Sequence, residues 1–146
     1  MPTERSGLLV DFGGVLTTDV FSSFQQFCEV EQLDPETVRH RFRHDPTSRE
    51  LLADLETGRI TEEEFEPLFA DILEVAPGGL IDRLFAGMHA DDAMLDALRA
   101  ARSQSVRTGL ISNSWGRGRY DRSLFPELFD GVVISGEVGI RKPETR

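Results

Sequence analysis

The sequence has very little cysteine, no long hydrophobic run and no excess of basic residues. The single cysteine, Cys28, cannot form a disulfide within the chain, so nothing indicates an oxidising compartment. Its neighbours Phe24 and Phe27 predict a buried thiol that packs as a small hydrophobic side chain. No apolar run approaches the ~18 residues of a membrane span, and Met1 to Ser6 show no secretory signal pattern. We therefore expect a cytoplasmic protein that does not associate with membranes.

The charge balance is acidic. Lysine and arginine number 16 against 26 aspartates and glutamates, which gives a net charge of -10. Such a chain repels polyanions, so we expect no nucleic-acid partner, although a local basic pocket for a small anion is not excluded. With 146 residues, 39% of them hydrophobic, the chain can build a single core plus a small insertion.

Three short apolar runs without polar alternation predict buried parallel strands. These runs are Leu8–Val10, Val106–Ile111 and Val132–Ile134, and they are followed by Asp11, Ser112 and Ser135. In open α/β sheets, ligands bind beyond the carboxyl ends of the strands. The residues after each run are therefore the candidates for chemistry.

The long segment between the first and second runs has a helical pattern. Phe21, Phe24 and Phe27 recur at helical spacing, Asp34-Pro35 predicts a helix start, and Thr61 with Glu64 forms a capping-box pattern. We therefore predict a small helical bundle inserted after the first strand.

Asp11 is the first candidate for chemistry. A carboxylate at the end of a buried strand loses water and needs a partner. Gly13 and Gly14 follow it, and their amides can approach an anion closely. The pattern suits a phosphoryl group or a divalent cation, and a tight strand-to-loop turn is the alternative interpretation.

Two further candidates come later in the chain. Ser112 and Asn113 provide neutral hydrogen-bond donors, and Lys142 precedes Pro143, which favours an extended backbone at Lys142. An ordinary turn and a solvated basic tail are the respective alternatives. Arg117 and Arg119 are also placed to contact an anionic substrate, although surface solvation is the commoner fate of such residues.

Taken together, these motifs resemble the haloacid dehalogenase-like (HAD) hydrolase superfamily. The resemblance rests on the order Asp11-Phe12-Gly13-Gly14, helical insertion, Ser112-Asn113 and Gly139-Ile140-Arg141-Lys142-Pro143. The resemblance extends to Leu55–Thr61 with Glu64-Phe65 and to Ser135–Gly139. Within the superfamily, the chain is similar to the helical-cap subgroup that includes the phosphatase domain of soluble epoxide hydrolase.

The resemblance implies an α/β fold, a doubly wound parallel sheet with an inserted α-helical cap. Residues 1–17 and 96–146 are expected to form a HAD-like Rossmannoid core, truncated at the C-terminus, and residues 18–95 the cap.

The resemblance also implies a role for each motif residue. Asp11 matches the nucleophile that forms an aspartyl-phosphate, and Asp11 with the Gly13 carbonyl matches the Mg²⁺ ligands. Ser112 is expected to donate to the transferring phosphoryl group, with Gly14 and Asn113 as further substrate-binding residues, and Lys142 to neutralise charge. The implied activity is Mg²⁺-dependent hydrolysis of a small phosphorylated metabolite.

Two features depart from the family pattern. Gly13 stands where family phosphatases usually carry a second aspartate, which acts as the general acid and base. The family's acidic fourth motif is expected after Lys142, and the residues from Lys142 to Arg146 do not contain it. Without the strands that carry this motif, we expect an open edge at the first strand, which a homo-oligomer would cover.

Two alternative functions stay open. One is a catalytically inactive or incomplete HAD-like fragment that acts as a binding or interaction module. The other is a 2-haloacid dehalogenase, whose first motif fits Asp11 to Val15 poorly.

Overall fold

The core of the protein is a three-stranded parallel sheet. The computed structural model describes residues 7–115 and 120–144. The strands lie in the order β1-β2-β3 and are β1 (Gly7–Val10), β2 (Arg107–Ser112) and β3 (Gly131–Ile134). Leu9 pairs with Gly109, and Ile111 pairs with Val133. The α/β class predicted from the sequence is confirmed, and the strand bounds lie within one residue of the predicted runs.

Helices form most of the segment between β1 and β2. They are α1 (Val20–Val30), α2 (Thr37–His44), α3 (Pro46–Glu56), α4 (Glu62–Leu73), α5 (Leu80–Leu84) and α6 (Asp92–Ser103). After β2 come a 3₁₀ turn (Arg122–Leu124), α7 (Phe125–Leu128), β3 and α8 (Ser135–Val138). We refer to residues 18–89, which lie between the paired residues Thr17 and Ala90, as the helical insertion. No helix in the described part of the chain is both long and apolar enough to cross a membrane.

Local sequence signals explain where these helices begin. The Thr61 side chain accepts from the Glu64 amide at 3.1 Å and the Glu64 carboxylate accepts from the Thr61 amide, so the predicted capping box is confirmed. Asp34 does not cap a helix that starts at Pro35. Its carboxylate accepts from the Glu36 amide at 2.9 Å in a turn, and α2 begins at Thr37.

The buried hydrophobic residues form two clusters. One lies within the helical insertion and includes Phe24, Cys28, Phe65 and Phe69. Cys28 is fully buried there, as predicted, and burial raises the pKa of its thiol. The other cluster packs α6 and α7 against the sheet and includes Leu16, Leu95, Leu98, Leu110, Phe125 and Ile134.

The helical insertion joins the sheet through two adjacent segments of chain. Thr17 forms an antiparallel bridge with Ala90, and the Thr18 amide donates to the His89 carbonyl at 2.7 Å. The Asp91 amide donates to the Leu16 carbonyl at 2.8 Å. The chain therefore enters and leaves the helical insertion at one place.

The first strand is more exposed than predicted. Leu8 and Leu9 are 41% and 70% exposed, so the prediction that β1 is buried is wrong. The physical reason is its position, because within the described residues β1 pairs only with β2 and forms an edge of the sheet. β2, which lies between the other two strands, has the buried residues expected of a central strand.

Candidate functional site

The predicted residues meet at the carboxyl ends of β1 and β2. Asp11 follows β1 directly, Ser112 ends β2, and Asn113 comes next. All three line one cavity of about 360 Å³. Because neighbouring parallel strands point the same way, their ends share one edge of the sheet, which places residues about 100 positions apart around the same space.

Lys142 lies against Asp11. Its ammonium nitrogen is 2.8 Å from Asp11 Oδ2 and 2.9 Å from the Ile111 carbonyl oxygen, to which it donates. The Phe12 amide donates to Asp11 Oδ1 at 2.7 Å, so each carboxylate oxygen has a donor. Both charged side chains remain partly open to solvent, at 40% for Lys142 and 45% for Asp11. The pair therefore places a positive charge directly against the carboxylate that lines the cavity.

Asn113 has a contact that the sequence did not suggest. Its Oδ1 accepts from the Lys142 amide at 2.8 Å, and its Nδ2 donates to the Lys142 carbonyl at 3.1 Å. The side chain was expected to donate to a phosphoryl group, but both of its polar groups already bind the Lys142 backbone. We call this pair of hydrogen bonds the Asn113 clamp, and it fixes the backbone that carries the ammonium.

Ser112 is paired with a tyrosine, Tyr120, that no sequence motif indicated. Its hydroxyl lies 2.7 Å from the Tyr120 hydroxyl, and either group can be the donor. Burial raises the pKa of Tyr120, so the phenol stays protonated and available as a donor. When Tyr120 donates, the Ser112 proton can turn from its long 3.4 Å contact with the Asn113 carbonyl oxygen towards a bound anion. Tyr120 lies only eight positions after Ser112 in the sequence, which is the one signal that could have suggested the contact. The fold alone determines that the two hydroxyls meet.

The two glycines of the first loop differ. Gly13 lines the cavity, as its predicted role in metal binding requires. Gly14 has φ +78°, a conformation that favours glycine, and its amide donates to the Thr17 hydroxyl at 2.9 Å. It is not among the described residues that line the cavity. The Gly14 amide is therefore already occupied by a hydrogen bond within the loop. Binding of substrate by Gly14 stays a prediction that no described contact supports.

The acidic groups near the site are sparse. Within the described ranges, 7–115 and 120–144, no group of three or more His, Cys, Asp or Glu side chains is arranged to hold a metal ion. The available donors are the Asp11 carboxylate and the Gly13 carbonyl, both of the oxygen type that Mg²⁺ prefers. Because Mg²⁺ commonly completes its shell with water and substrate phosphate, this donor set fits a metal that binds together with phosphate.

A buried ion pair joins the helical insertion to the site. Glu56, at the end of α3, receives a hydrogen bond from Arg141 at 3.0 Å, and its side chain is only 8% exposed. Burial raises the pKa of Glu56, and the pairing with Arg141 opposes that shift. Nearby, a Cβ at Gly58 would lie 2.7 Å from the Gly136 carbonyl oxygen. The insertion thus contacts the segment that precedes Lys142 at close range.

Arg117 and Arg119 lie outside the described residues. The structure thus brings together Asp11, Ser112, Asn113 and Lys142, whose chemical roles remain predictions. It adds Tyr120, Arg141 and Glu56 to the surroundings of the site.

Comparisons with known proteins identify the fold. No protein-family model and no curated protein sequence matches the chain. Among solved structures, it is similar to a HAD family enzyme from Bacteroides thetaiotaomicron in complex with magnesium and inorganic phosphate. The TM-score is 0.63 at 20% identity, over 95% of this chain and 73% of that one. The chain has the HAD fold.

A second structure gives the same result. A predicted HAD-like family hydrolase from Porphyromonas gingivalis matches with a TM-score of 0.57 at 24% identity, over 93% of this chain and 69% of that chain. The HAD fold was the expectation raised by the motifs at Asp11, Ser112 and Lys142. It is now confirmed by the similarity of these structures over 95% and 93% of this chain.

Proposed function

We propose that the protein is a Mg²⁺-dependent hydrolase of the HAD superfamily that cleaves phosphomonoesters. The observation that carries the proposal is the 2.8 Å contact between Lys142 and Asp11, whose carboxylate lines the same cavity as Ser112. A carboxylate that is held beside an ammonium and next to hydroxyl donors suits attack on a phosphoryl group, whose charge the same donors stabilise.

The reaction follows from these groups. A carboxylate oxygen of Asp11 attacks phosphorus, the bond from phosphorus to the ester oxygen breaks, and the electron pair leaves with that oxygen. Water then attacks the aspartyl-phosphate, releases inorganic phosphate and restores the carboxylate. Lys142 and the Ser112 hydroxyl offset charge on the phosphoryl oxygens during both steps.

The metal would be held by Asp11 and the Gly13 carbonyl. When bound, Mg²⁺ supplies charge that neutralises the phosphoryl oxygens. The magnesium and phosphate in the structure of the Bacteroides enzyme support this assignment by analogy of fold. With a single carboxylate as protein ligand, we expect Mg²⁺ to bind weakly alone and more tightly when inorganic phosphate is present, which calorimetric titration measures.

Asp11→Asn tests the proposed nucleophile. The substitution keeps the shape of the side chain but removes its negative charge, so release of phosphate from 4-nitrophenyl phosphate in the presence of Mg²⁺ should fall to background. Asp71→Asn is the matched control, because Asp71 is exposed on α4 and does not line the described cavity. Activity that survives Asp11→Asn but requires Mg²⁺ would show that another residue is the nucleophile.

A second candidate function is a binding module that keeps the fold without catalysis. The sparse acidic groups at the site favour it, together with glycine at position 13, which provides no proton donor. A folded chain that binds inorganic phosphate but turns over no phosphomonoester with Mg²⁺ would support this alternative.

Three further expectations remain proposals. We propose that the helical insertion acts as a cap over a small phosphorylated metabolite, and that the protein is cytoplasmic. The exposed Leu8 and Leu9 on β1 support the expectation that a second copy covers this edge. Size-exclusion chromatography with light scattering distinguishes the dimer from the monomer.

A further inference from the structure

The walls of the cavity beside Asp11 are mostly apolar. They consist of Phe12, Val20, Phe85, Met88, Trp115 and Tyr120, while the polar side chains Asp11, Ser112 and Asn113 lie at the strand ends. The volume of about 360 Å³ is at the small end of ligand sites. It accommodates a phosphoryl group together with a compact organic group. The cavity thus has a polar end that suits the phosphoryl group and an apolar part that suits the organic group of the ester.

The apolar walls are held in place by ring contacts. Trp115 packs edge-on against Phe85 with centroids 5.0 Å apart and against Phe42 at 5.4 Å. Phe12 packs edge-on against Tyr120 at 4.8 Å. Edge-to-face packing is a favoured geometry for aromatic pairs. Fixed aromatic walls favour a flat, uncharged ring over a flexible chain.

Polyhydroxylated substrates fit these walls poorly. A sugar phosphate would bring several hydroxyl groups out of water, and each needs a hydrogen-bond partner. Beyond Asp11, Ser112, Asn113 and the Tyr120 hydroxyl, the described residues that line the cavity offer no polar side chain other than the Trp115 indole N–H. The Tyr120 hydroxyl is already bonded to Ser112. Most hydroxyls of a sugar would therefore remain unpaired.

The described residues that line the cavity also offer no carboxylic acid or histidine to protonate the leaving group, and the nearby Lys142 ammonium is paired with Asp11 and the Ile111 carbonyl. Among the described lining residues, the proposed nucleophile Asp11 is the one carboxyl. Burial raises the pKa of Tyr120, which makes it a weak acid. An alkoxide leaving group is a far stronger base than a phenolate, because an alcohol is about as weak an acid as water, whereas a phenol has a pKa of about 10. A phenolate can leave without being protonated, and an alkoxide cannot do so easily.

These two independent observations point to the same substrate class. We propose that the protein acts on phosphomonoesters of phenols, with a compact, uncharged ring in the apolar part of the cavity. The inference rests on the proposed function. The Asp11 oxygen-phosphorus bond forms as the bond from phosphorus to the phenolic oxygen breaks. The electron pair stays on the phenolate, which takes a proton from water after release.

A matched set of three esters tests the substrate class. We would measure kcat/KM with Mg²⁺ for phenyl phosphate, benzyl phosphate and glucose 6-phosphate. Benzyl phosphate keeps the ring but has an alcohol as leaving group. A positioned general acid contributes about 10²–10⁴-fold, so in its absence phenyl phosphate should be cleaved at least about 100-fold faster than either of the others. Benzyl phosphate or glucose 6-phosphate within tenfold of phenyl phosphate would overturn the inference.

Two non-hydrolysable ligands separate this inference from the proposed function. Phenylphosphonate and methylphosphonate carry the same charged group, and calorimetry measures their binding without turnover. We expect phenylphosphonate to bind at least about tenfold more tightly, because it buries its ring against the apolar walls. Tight binding of phenylphosphonate without hydrolysis of any ester would refute the hydrolase and keep the ligand class. Equal affinity of the two phosphonates would refute the ligand class.

A variant at Gly13 tests the missing proton donor. A Cβ at position 13 would lie 3.1 Å from Val20 Cγ2, so Gly13→Asp is combined with Val20→Ala to make room. Val20→Ala alone is the control for the added space. A carboxylic acid introduced here should speed hydrolysis of benzyl phosphate more than that of phenyl phosphate and lower the ratio of the two at least about tenfold. An unchanged ratio, in a variant that still binds phenylphosphonate, would contradict the argument from the leaving group.

Discussion

Removal of the Asn113 clamp is expected to lower kcat/KM by releasing Lys142. In Asn113→Ala, the Lys142 backbone loses hydrogen bonds of 2.8 and 3.1 Å. Each neutral hydrogen bond contributes a net ~0.5–1.5 kcal/mol. The two together amount to roughly 1–3 kcal/mol, which corresponds to a decrease of about 5- to 150-fold. The same loss should appear in affinity for inorganic phosphate.

Two roles for Asn113, holding Lys142 and binding phosphate directly, lead to different expected results in a double variant. If Asn113 acts by holding Lys142, it becomes redundant once the ammonium is gone. We would compare Asn113→Ala, Lys142→Met and the double variant for release of phosphate from 4-nitrophenyl phosphate with Mg²⁺. In the Lys142→Met background, Asn113→Ala should change kcat/KM by less than about twofold, since independent sites are additive and coupled sites are not.

If the decreases in kcat/KM caused by Asn113→Ala and Lys142→Met multiply in the double variant, the proposed role of the Asn113 clamp is refuted. This result would show that Asn113 donates to the phosphoryl group itself, as its position after β2 first suggested. Calorimetric affinity for inorganic phosphate provides the same comparison where activity of Lys142→Met is too low to measure. Urea denaturation of each variant checks that the fold is intact.

Three further predictions follow from contacts around the site. Tyr120→Phe removes the partner of the Ser112 hydroxyl, so kcat/KM should fall about 2- to 10-fold, the equivalent of one hydrogen bond; no loss would show that Ser112 needs no orienting group. Burial raises the pKa of Glu56 above 4.5, so the folded chain retains a proton that the unfolded chain has released. The free energy of unfolding should therefore fall as pH rises from about 4.5 through the raised pKa. Glu56→Gln should lose less stability over that range in urea denaturation, and a larger loss would mean that the ion pair outweighs burial. Gly58→Ala should lower the Tm more than Gly79→Ala, because both glycines have positive φ but only Gly58 would place a Cβ 2.7 Å from another backbone oxygen; equal shifts would refute the close contact.

The parts of the site that follow strands were predictable from the sequence. Asp11 and Ser112 follow apolar runs, and the ends of neighbouring parallel strands meet by geometry. Lys142 was predicted from the motif before Pro143, and its ammonium reaches Asp11 as that motif implied. The capping box at Thr61 was predictable for the same reason, since both partners lie within one turn of helix.

The contacts that depend on the packing of distant elements were not predictable. Glu56 and Arg141 are separated by 85 positions, and no local pattern in either segment indicates the pairing. The hydroxyl contact between Tyr120 and Ser112 depends in the same way on the packed fold, since no local pattern indicates it. The burial of β1 predicted from the apolar run at Leu8 and Leu9 is wrong, because such a run does not show which strands will pair beside it. The open edge expected at the first strand, from the departure from the family pattern, agrees with its place in the described sheet.

Trp115 is the single tryptophan of the sequence. Its indole lines the cavity and also packs against four rings of the helical insertion, those of Phe24, Phe42, Phe65 and Phe85. All tryptophan fluorescence of the protein therefore comes from one ring at the boundary between the insertion and the sheet. The protein contains its own optical probe, which should report occupation of the cavity and movement of the insertion without a label.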